Sequence, residues 1–220
     1  MDNNQEAGFL RLFPLQGCVL YPGMEVPLVL FEPRYLQLAR ECIESGEPFG
    51  IVLLKSGREV GDSEADPHLI GTSAAIPSSE NTADGRIHII AEGQRRFRVV
   101  SFSYDRPYLS GQVEYLEEDS GMIDPSVVQH LREDAEMLIK AVLARQGGYV
   151  REVHFPEDPS ALSYQVAQLF QGSSRIQQKL LEASTLERLW QEQDLIKNAM
   201  REATRPRPAS NGPSDTFSVN

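Results

Sequence analysis

Near Gly121 the apolar residues change their spacing, and this change limits the folds open to the chain. Upstream, short apolar runs are separated by clusters of Gly, Pro, Asp and Ser. Downstream, apolar residues recur at helical intervals. Strand-period segments followed by helix-period segments predict an α+β protein with its strands first and its helices last. The strand candidates are 6–13, 24–30, 49–54, 69–76, 86–91, 96–102 and 108–116. One helix interrupts them. Glu32-Pro33 opens it, Leu36, Ala39 and Ile43 share a face, and Gly46 ends it. The stretches 55–67 and 77–85 are polar and read as surface loops.

A hairpin is expected where Ile87 and Ile89 alternate with Arg86 and His88, and Phe97 and Val99 with Arg96 and Arg98. Glu92-Gly93-Gln94 would supply its turn, with Gly93 free to take positive φ. Alternation puts the isoleucines, Phe97 and Val99 on the core face, and the Arg and His set on the other.

Downstream, helix starts are written as capping chemistry. Asp124-Pro125-Ser126 precedes the stripe Val128, Leu131, Ala135, Leu138 and Val142, which Gly147-Gly148 closes. Asp158-Pro159-Ser160 precedes Leu162, Val166 and Leu169. In each, Asp can accept from an orphan amide and Pro fits the first helical position. Ser174 with Gln177, and Ser184 with Glu187, match the capping box. The last helix carries Leu186, Leu189, Trp190, Ile196 and Met200. Residues 201–220 are rich in Pro, Ser, Asn and Gly and are expected to be a disordered tail.

Composition narrows the function classes. The net charge is −11, with Lys only at positions 55, 140, 179 and 197. Such a chain is repelled at long range by phosphate backbones and anionic lipid. No apolar run has the length of a membrane span, and 1–8 do not resemble a signal peptide. A cytoplasmic protein is expected, with Cys18 and Cys42 as reduced thiols.

No G-x-x-x-x-G-K-[ST] loop is present to cradle phosphates, and no G-x-G-x-x-G. His68, His88, His130 and His154 are dispersed, so no paired-His metal motif exists. No G-x-S-x-G elbow presents a serine. Glu117-Glu118-Asp119 reads as a solvated junction. The expectation is a non-enzyme without metal or cofactor. Arg86, Arg95, Arg96 and Arg98 gather positive charge, which could bind phosphate or carboxylate, or pair with acidic residues of the sheet.

The densest motifs are Leu12-Phe13-Pro14-Leu15, Val19-Leu20-Tyr21-Pro22-Gly23, Pro27-Leu28 and Phe31-Glu32-Pro33-Arg34-Tyr35. Phe49-Gly50-Ile51-Val52-Leu53, Ile70-Gly71-Thr72, Asp84-Gly85-Arg86, Gly93-x-x-Arg96-Phe97-Arg98-Val99, Pro107-Tyr108 and Val113-Glu114 follow. Lys179-Leu180-Leu181-Glu182 and Leu186-Glu187-Arg188-Leu189 close the series. In this order, over roughly residues 8–200, the set resembles the amino-terminal, substrate-binding domain of Lon proteases in a stand-alone form. The resemblance implies a PUA-like β-barrel over 8–119 and a helical bundle over 120–200. It implies partners among unfolded or damaged polypeptides, and a separate protease or chaperone. In full Lon proteases an ATPase domain and a Ser–Lys protease domain follow, and no segment here resembles either.

Read physically, Pro22-Gly23 makes a tight turn, Glu32 can cap the helix, and Arg34 can pair with Glu32 or a sheet carbonyl. The candidate polypeptide-binding residues are Phe31, Arg34, Tyr35 and Arg96, with an apolar groove expected between barrel and bundle. The competing reading is an RNA-binding PUA-like protein that uses the arginines on phosphates. The net charge opposes it, so nucleic acid is an unfavoured partner. A small-molecule enzyme on the same barrel is a third.

Overall fold

A computed structural model describes residues 6–56, 66–118 and 123–203. Six strands precede a run of helices, with one helix between the second and third strands. The strands are β1 (Ala7–Leu15), β2 (Glu25–Leu30), β3 (Phe49–Ser56), β4 (Asp66–Asn81), β5 (Ile87–Ser103) and β6 (Ser110–Tyr115). The helices are α1 (Pro33–Ser45), α2 (Pro125–Arg145), α3 (Pro159–Ala167), α4 (Ser174–Glu182) and α5 (Thr185–Ala203). The α+β class is thus observed. Helix α5 runs to Ala203, past position 201 where the tail was expected to start; residues 204–220 lie outside the described residues, as does most of the 55–67 loop.

The sheet has the order β2-β5-β4-β3-β1-β6, and β6 also pairs with β5. Five strands therefore form a closed ring, with β2 appended to one half of β5. The ring is possible because β5 is long. Its residues 87–92 pair with β2, and its residues 97–103 pair with β6.

The hairpin lies elsewhere than expected. Residues 87–103 form one continuous strand, and its long partner is β4, which extends to Asn81 through the presumed loop. Asp84-Gly85 makes the turn, with Gly85 at φ 85° and Thr82 bonded to Arg86. Gly93 has no positive φ. It is needed because the chain crosses there: a Cβ at this position would stand 2.2 Å from the Tyr21 carbonyl oxygen. The Gly93 amide donates to Met24 O at 2.8 Å, and the Gly93 carbonyl accepts from the Gly23 amide at 2.8 Å. Gly23 itself holds the expected Pro22-Gly23 turn, at φ 75°.

Helix α1 ends at Gly46 in the left-handed region, with its amide donating to Cys42 O. Its buried face is Tyr35, Leu38, Ala39 and Cys42, offset from the expected Leu36–Ala39–Ile43 stripe, and Ile43 is exposed. Tyr and Cys serve as apolar bodies here. They pack with Phe13, Phe49, Ile51, Ile87 and Ile89. Inside the closed strands Leu10, Leu12, Val52, Phe97, Val99 and Val113 form a second core.

The helical half follows its capping signals. The Asp124 carboxylate accepts from the Ser126 amide, and Asp158 from the Ala161 amide, both at 2.8 Å. The Ser184–Glu187 box is reciprocal. The cap of α4 is Ser173, one residue before the expected Ser174. Leu131, Ala135, Leu138, Leu162, Val166, Leu189 and Ile196 form the bundle core, while Val142, Leu169 and Trp190 stay exposed.

Candidate functional site

The candidate residues fall in two places. Phe31, Arg34 and Tyr35 sit together where β2 passes into α1. Arg96 lies on the far half of β5, under the helices.

At the first place Phe31 is 65% exposed and Val29 is 47% exposed. Pro27, Val29 and Phe31 alternate along β2 and share its outer face, while Leu28 and Leu30 turn inward. Among the described residues no strand pairs with the second edge of β2. The Met24 carbonyl accepts from β5, so alternation directs the backbone of Glu25, Pro27 and Val29 to the free edge. Pro27 removes one donor from that edge, which blunts it against pairing with another strand. Arg34 Nε donates to Glu32 Oε2 at 2.9 Å, and its guanidinium lies 4.4 Å from the Tyr35 ring centroid. Glu32 stands at the cap position of α1 but makes no side-chain cap bond. Tyr35 is a core residue, edge-on to Phe13 at 4.3 Å.

At the second place Arg96 is buried. Its Nη1 donates to Leu181 O and Ala183 O, both at 2.7 Å, and its Nε to Glu118 Oε1 at 2.6 Å. Alternation placed Arg96 correctly on the outer face of the ring, but helices cover that face. Glu118, expected to be solvated, is the hub of a network. It accepts from Arg96, Tyr164, Ser160 at 2.9 Å, Thr185 at 3.2 Å and Arg188 at 3.4 Å. Burial alone would raise its pKa. The charges of Arg96 and Arg188 and the Tyr164 hydroxyl outweigh this and hold it below the usual carboxylate range. Arg188 is fully buried, 3.8 Å from the Tyr164 ring centroid, and its Nε donates to Ser163 Oγ. Ser163 in turn donates to Glu192, whose burial pushes its pKa well above the usual value. This network bolts the helices to the sheet. No pattern local to Glu118 or Arg188 signalled it, because their side-chain partners lie 22 to 70 residues apart in sequence.

The other arginines of the expected cluster do not converge with Arg96. Arg86 pairs with Asp84, and Arg95 with Glu6 and Glu117. Cys18 and Cys42 are free thiols, and burial pushes the Cys42 pKa up to about 11. Among the described residues no group of three His, Cys, Asp or Glu side chains is placed to hold a metal, and no helix is long and apolar enough to cross a membrane.

The seam between sheet and helices is mostly closed by Val19, Tyr21, Leu53, Tyr164, Leu180 and Leu181. It opens in a groove of about 490 Å3 between the ends of β3 and β4 and one side of α4. The groove differs from the apolar one expected. Its floor includes Leu53 and Leu54, but its walls carry Lys55, His68, Arg175 and Lys179.

A closed sheet with an appended helical half is a fold shared with solved Lon amino-terminal domains. A Lon N-terminal domain protein from Xanthomonas campestris is similar with a TM-score of 0.65 and 27% identity, over 85% of this chain and 98% of that one. The N-terminal domain of the Mycobacterium avium complex Lon protease shares the fold at a TM-score of 0.63 and 22% identity, over 87% of this chain and 99% of that one. The profile of the ATP-dependent protease La (LON) substrate-binding domain matches residues 10–198, and the chain belongs to that family. The Lon protease of Methylocella silvestris is 32% identical over 183 residues, 80% of this chain and 22% of the relative. The Lon protease of Amoebophilus asiaticus is 25% identical over 82% of this chain and 22% of the relative. The chain thus spans about a fifth of these curated relatives.

Proposed function

We propose that this domain binds unfolded polypeptide on the outer face of β2 and Phe31, without turning it over, as a cytoplasmic module of protein quality control. The observation that carries the reading is the exposure of Phe31 and Val29, side by side on a strand with a free edge. Full burial of a Phe or Val side chain is worth about 1.5–3 kcal/mol, so the adjacent pair offers an apolar ligand surface to bury. Pro27 limits backbone pairing, so side chains supply most of the attraction and binding is weak, with Kd in the range of roughly 1 μM to 1 mM. Arg34, fixed by Glu32 and stacked on Tyr35, forms a polar rim beside Phe31, and Tyr35 supports it from below. Arg96 supports this reading only through the fold. Membership of the substrate-binding family agrees with a polypeptide ligand.

The test is fluorescence anisotropy with labelled unfolded casein against a folded control protein. Phe31→Ser should weaken casein binding about tenfold, equivalent to about 1.4 kcal/mol. Equal binding of the folded control, or no effect of Phe31→Ser, overturns the assignment.

A further inference from the structure

The outer face of β2 belongs to a wider surface. The register of the sheet sets Glu25 opposite Glu92, Pro27 opposite Ile90 and Val29 opposite His88, and Phe31 continues the row past the strand end. On the far side of β5, Glu80 stands opposite His88. Residues directly opposite share a face. Pro27, Ile90, Val29 and Phe31 therefore make one apolar strip, with Glu25 and Glu92 side by side at one end of it. Ile90 is half-buried, and the others are exposed.

The placing of the two acids is unfavourable for the protein alone. Glu25, Pro27 and Val29 turn their backbone away from β5. Their cross-strand pairs are thus of the close, non-hydrogen-bonded kind, with Cα atoms about 4.5 Å apart. Like charges directly opposite on a sheet repel. Among the described residues no cation pairs with Glu25 or Glu92; those at the Phe31 end are held elsewhere, Arg34 by Glu32 at 2.9 Å and Arg86 by Asp84 at 3.0 Å. The strip has a direction, charge-balanced at Phe31 and anionic at Glu25.

This selects among occupants. Nucleic acid and anionic lipid carry the sign of Glu25 and Glu92. A second copy brings the same carboxylates and a net charge of −11. A small cation has no use for Val29 and Phe31. An extended polypeptide presents side chains to one face at every second residue, the period of β2 itself. With a basic residue at the right place it buries the strip and separates the two acids.

We propose that the β2 face selects extended segments in which apolar side chains at alternate positions are followed by Lys or Arg, the cation lying between Glu25 and Glu92. The inference rests on the polypeptide-binding reading of this face and adds the substrate class. Glu25 lies about 20 Å along the strand from Phe31, so the basic residue stands about six positions from the apolar residue over Phe31.

The test is anisotropy at low salt with labelled, amidated octapeptides. One is Leu-Thr-Leu-Thr-Leu-Thr-Lys-Thr, and the second has Gln for Lys. The third is Leu-Thr-Leu-Thr-Leu-Thr-Thr-Lys, in which Lys has moved by one residue and so to the opposite face. The first should bind about fivefold more tightly than the other two, the scale of an exposed ion pair. Glu25→Gln with Glu92→Gln should make all of them bind alike. Both side chains are exposed, so a melting temperature no lower than wild type is expected and guards against misfolding. Equal binding of the two Lys peptides overturns the proposal, because attraction by net charge alone does not depend on register. A dimer in sedimentation that Phe31→Ser breaks makes a second copy the occupant and overturns it as well. Phe31→Ser should weaken every peptide. If it does, and the wild type binds the first two peptides alike, only the charge preference fails. If it changes none of them, the binding reading of the face fails with it.

Discussion

Replacing Glu118 by Ala should test the network that joins the two halves. The side chain neutralises two arginines, of which Arg188 is fully buried and Arg96 nearly so. Removing one partner of a buried ion pair costs about 3–5 kcal/mol, because the remaining charge has lost both water and partner. Glu118 keeps 27% of its side-chain surface, so some water can enter and the lower end, about 3 kcal/mol, is expected. For a domain of this size each kcal/mol moves Tm by about 2–4 °C, so the melt should fall by roughly 6–12 °C. Glu118→Gln keeps the shape but not the charge and should cost less. Urea unfolding followed by far-UV dichroism reads the whole fold, and fluorescence of the single Trp190 reads α5, the helix that carries Arg188. The pH dependence has a definite sign. The folded pKa of Glu118 is depressed, so its contribution is present above the usual carboxylate pKa and is lost as pH falls through the lower folded value. Wild type and variant should therefore converge in acid. A loss under about 1 kcal/mol at neutral pH, or a constant gap down to the lowest pH at which the protein folds, would refute the reasoning.

Glu192 should show the opposite sign. Its folded pKa is raised by burial, so its contribution is complete below the unfolded pKa and is lost as pH rises through the folded value. Glu192→Gln, measured by urea midpoints from pH 5 to 9, should flatten that decline; an unchanged slope refutes it. Gly93→Ala places a methyl 2.2 Å from the Tyr21 carbonyl oxygen and should cost about 1–3 kcal/mol or more, read by thermal melting; a neutral effect would refute the close approach of the Tyr21 turn to β5. Cys42, buried and with its pKa pushed up to about 11, should resist alkylation by iodoacetamide at pH 8 until urea unfolds the chain; rapid labelling of the native protein would contradict its burial.

The α+β class and the helix starts were legible because their causes are local. Asp124, Asp158 and the Ser184–Glu187 pair act on amides within three residues, so spacing alone reveals them. Gly93 misled because glycine has two uses, positive φ and close approach, and only the Tyr21 carbonyl across the crossing tells which applies. The outer face of β5 was legible, but its cover was not. Arg96 alternates with Phe97 whether helices or water lie above it. The pairing of Arg34 with Glu32 was readable at a separation of two residues. The exposure of Phe31 was not, since apolar residues at a strand end can point either way.

One feature of α4 bears on the order in which the chain becomes native. This helix has no glycine after its last turn. Its final carbonyls, on Leu181 and Ala183, are completed by the guanidinium of Arg96, 85 and 87 residues earlier. During synthesis the closed sheet can form before α4 has left the ribosome, since all six of its strands end by Tyr115. The last turn of the helix gains these partners only on meeting a strand that is already in place. The sheet thus serves as a template on which the later helices set their ends, and contacts this distant in sequence are slow to find. Arg96 and Glu118, which precede α3 and α4 in the chain, are the sheet-side half of the contacts those helices complete.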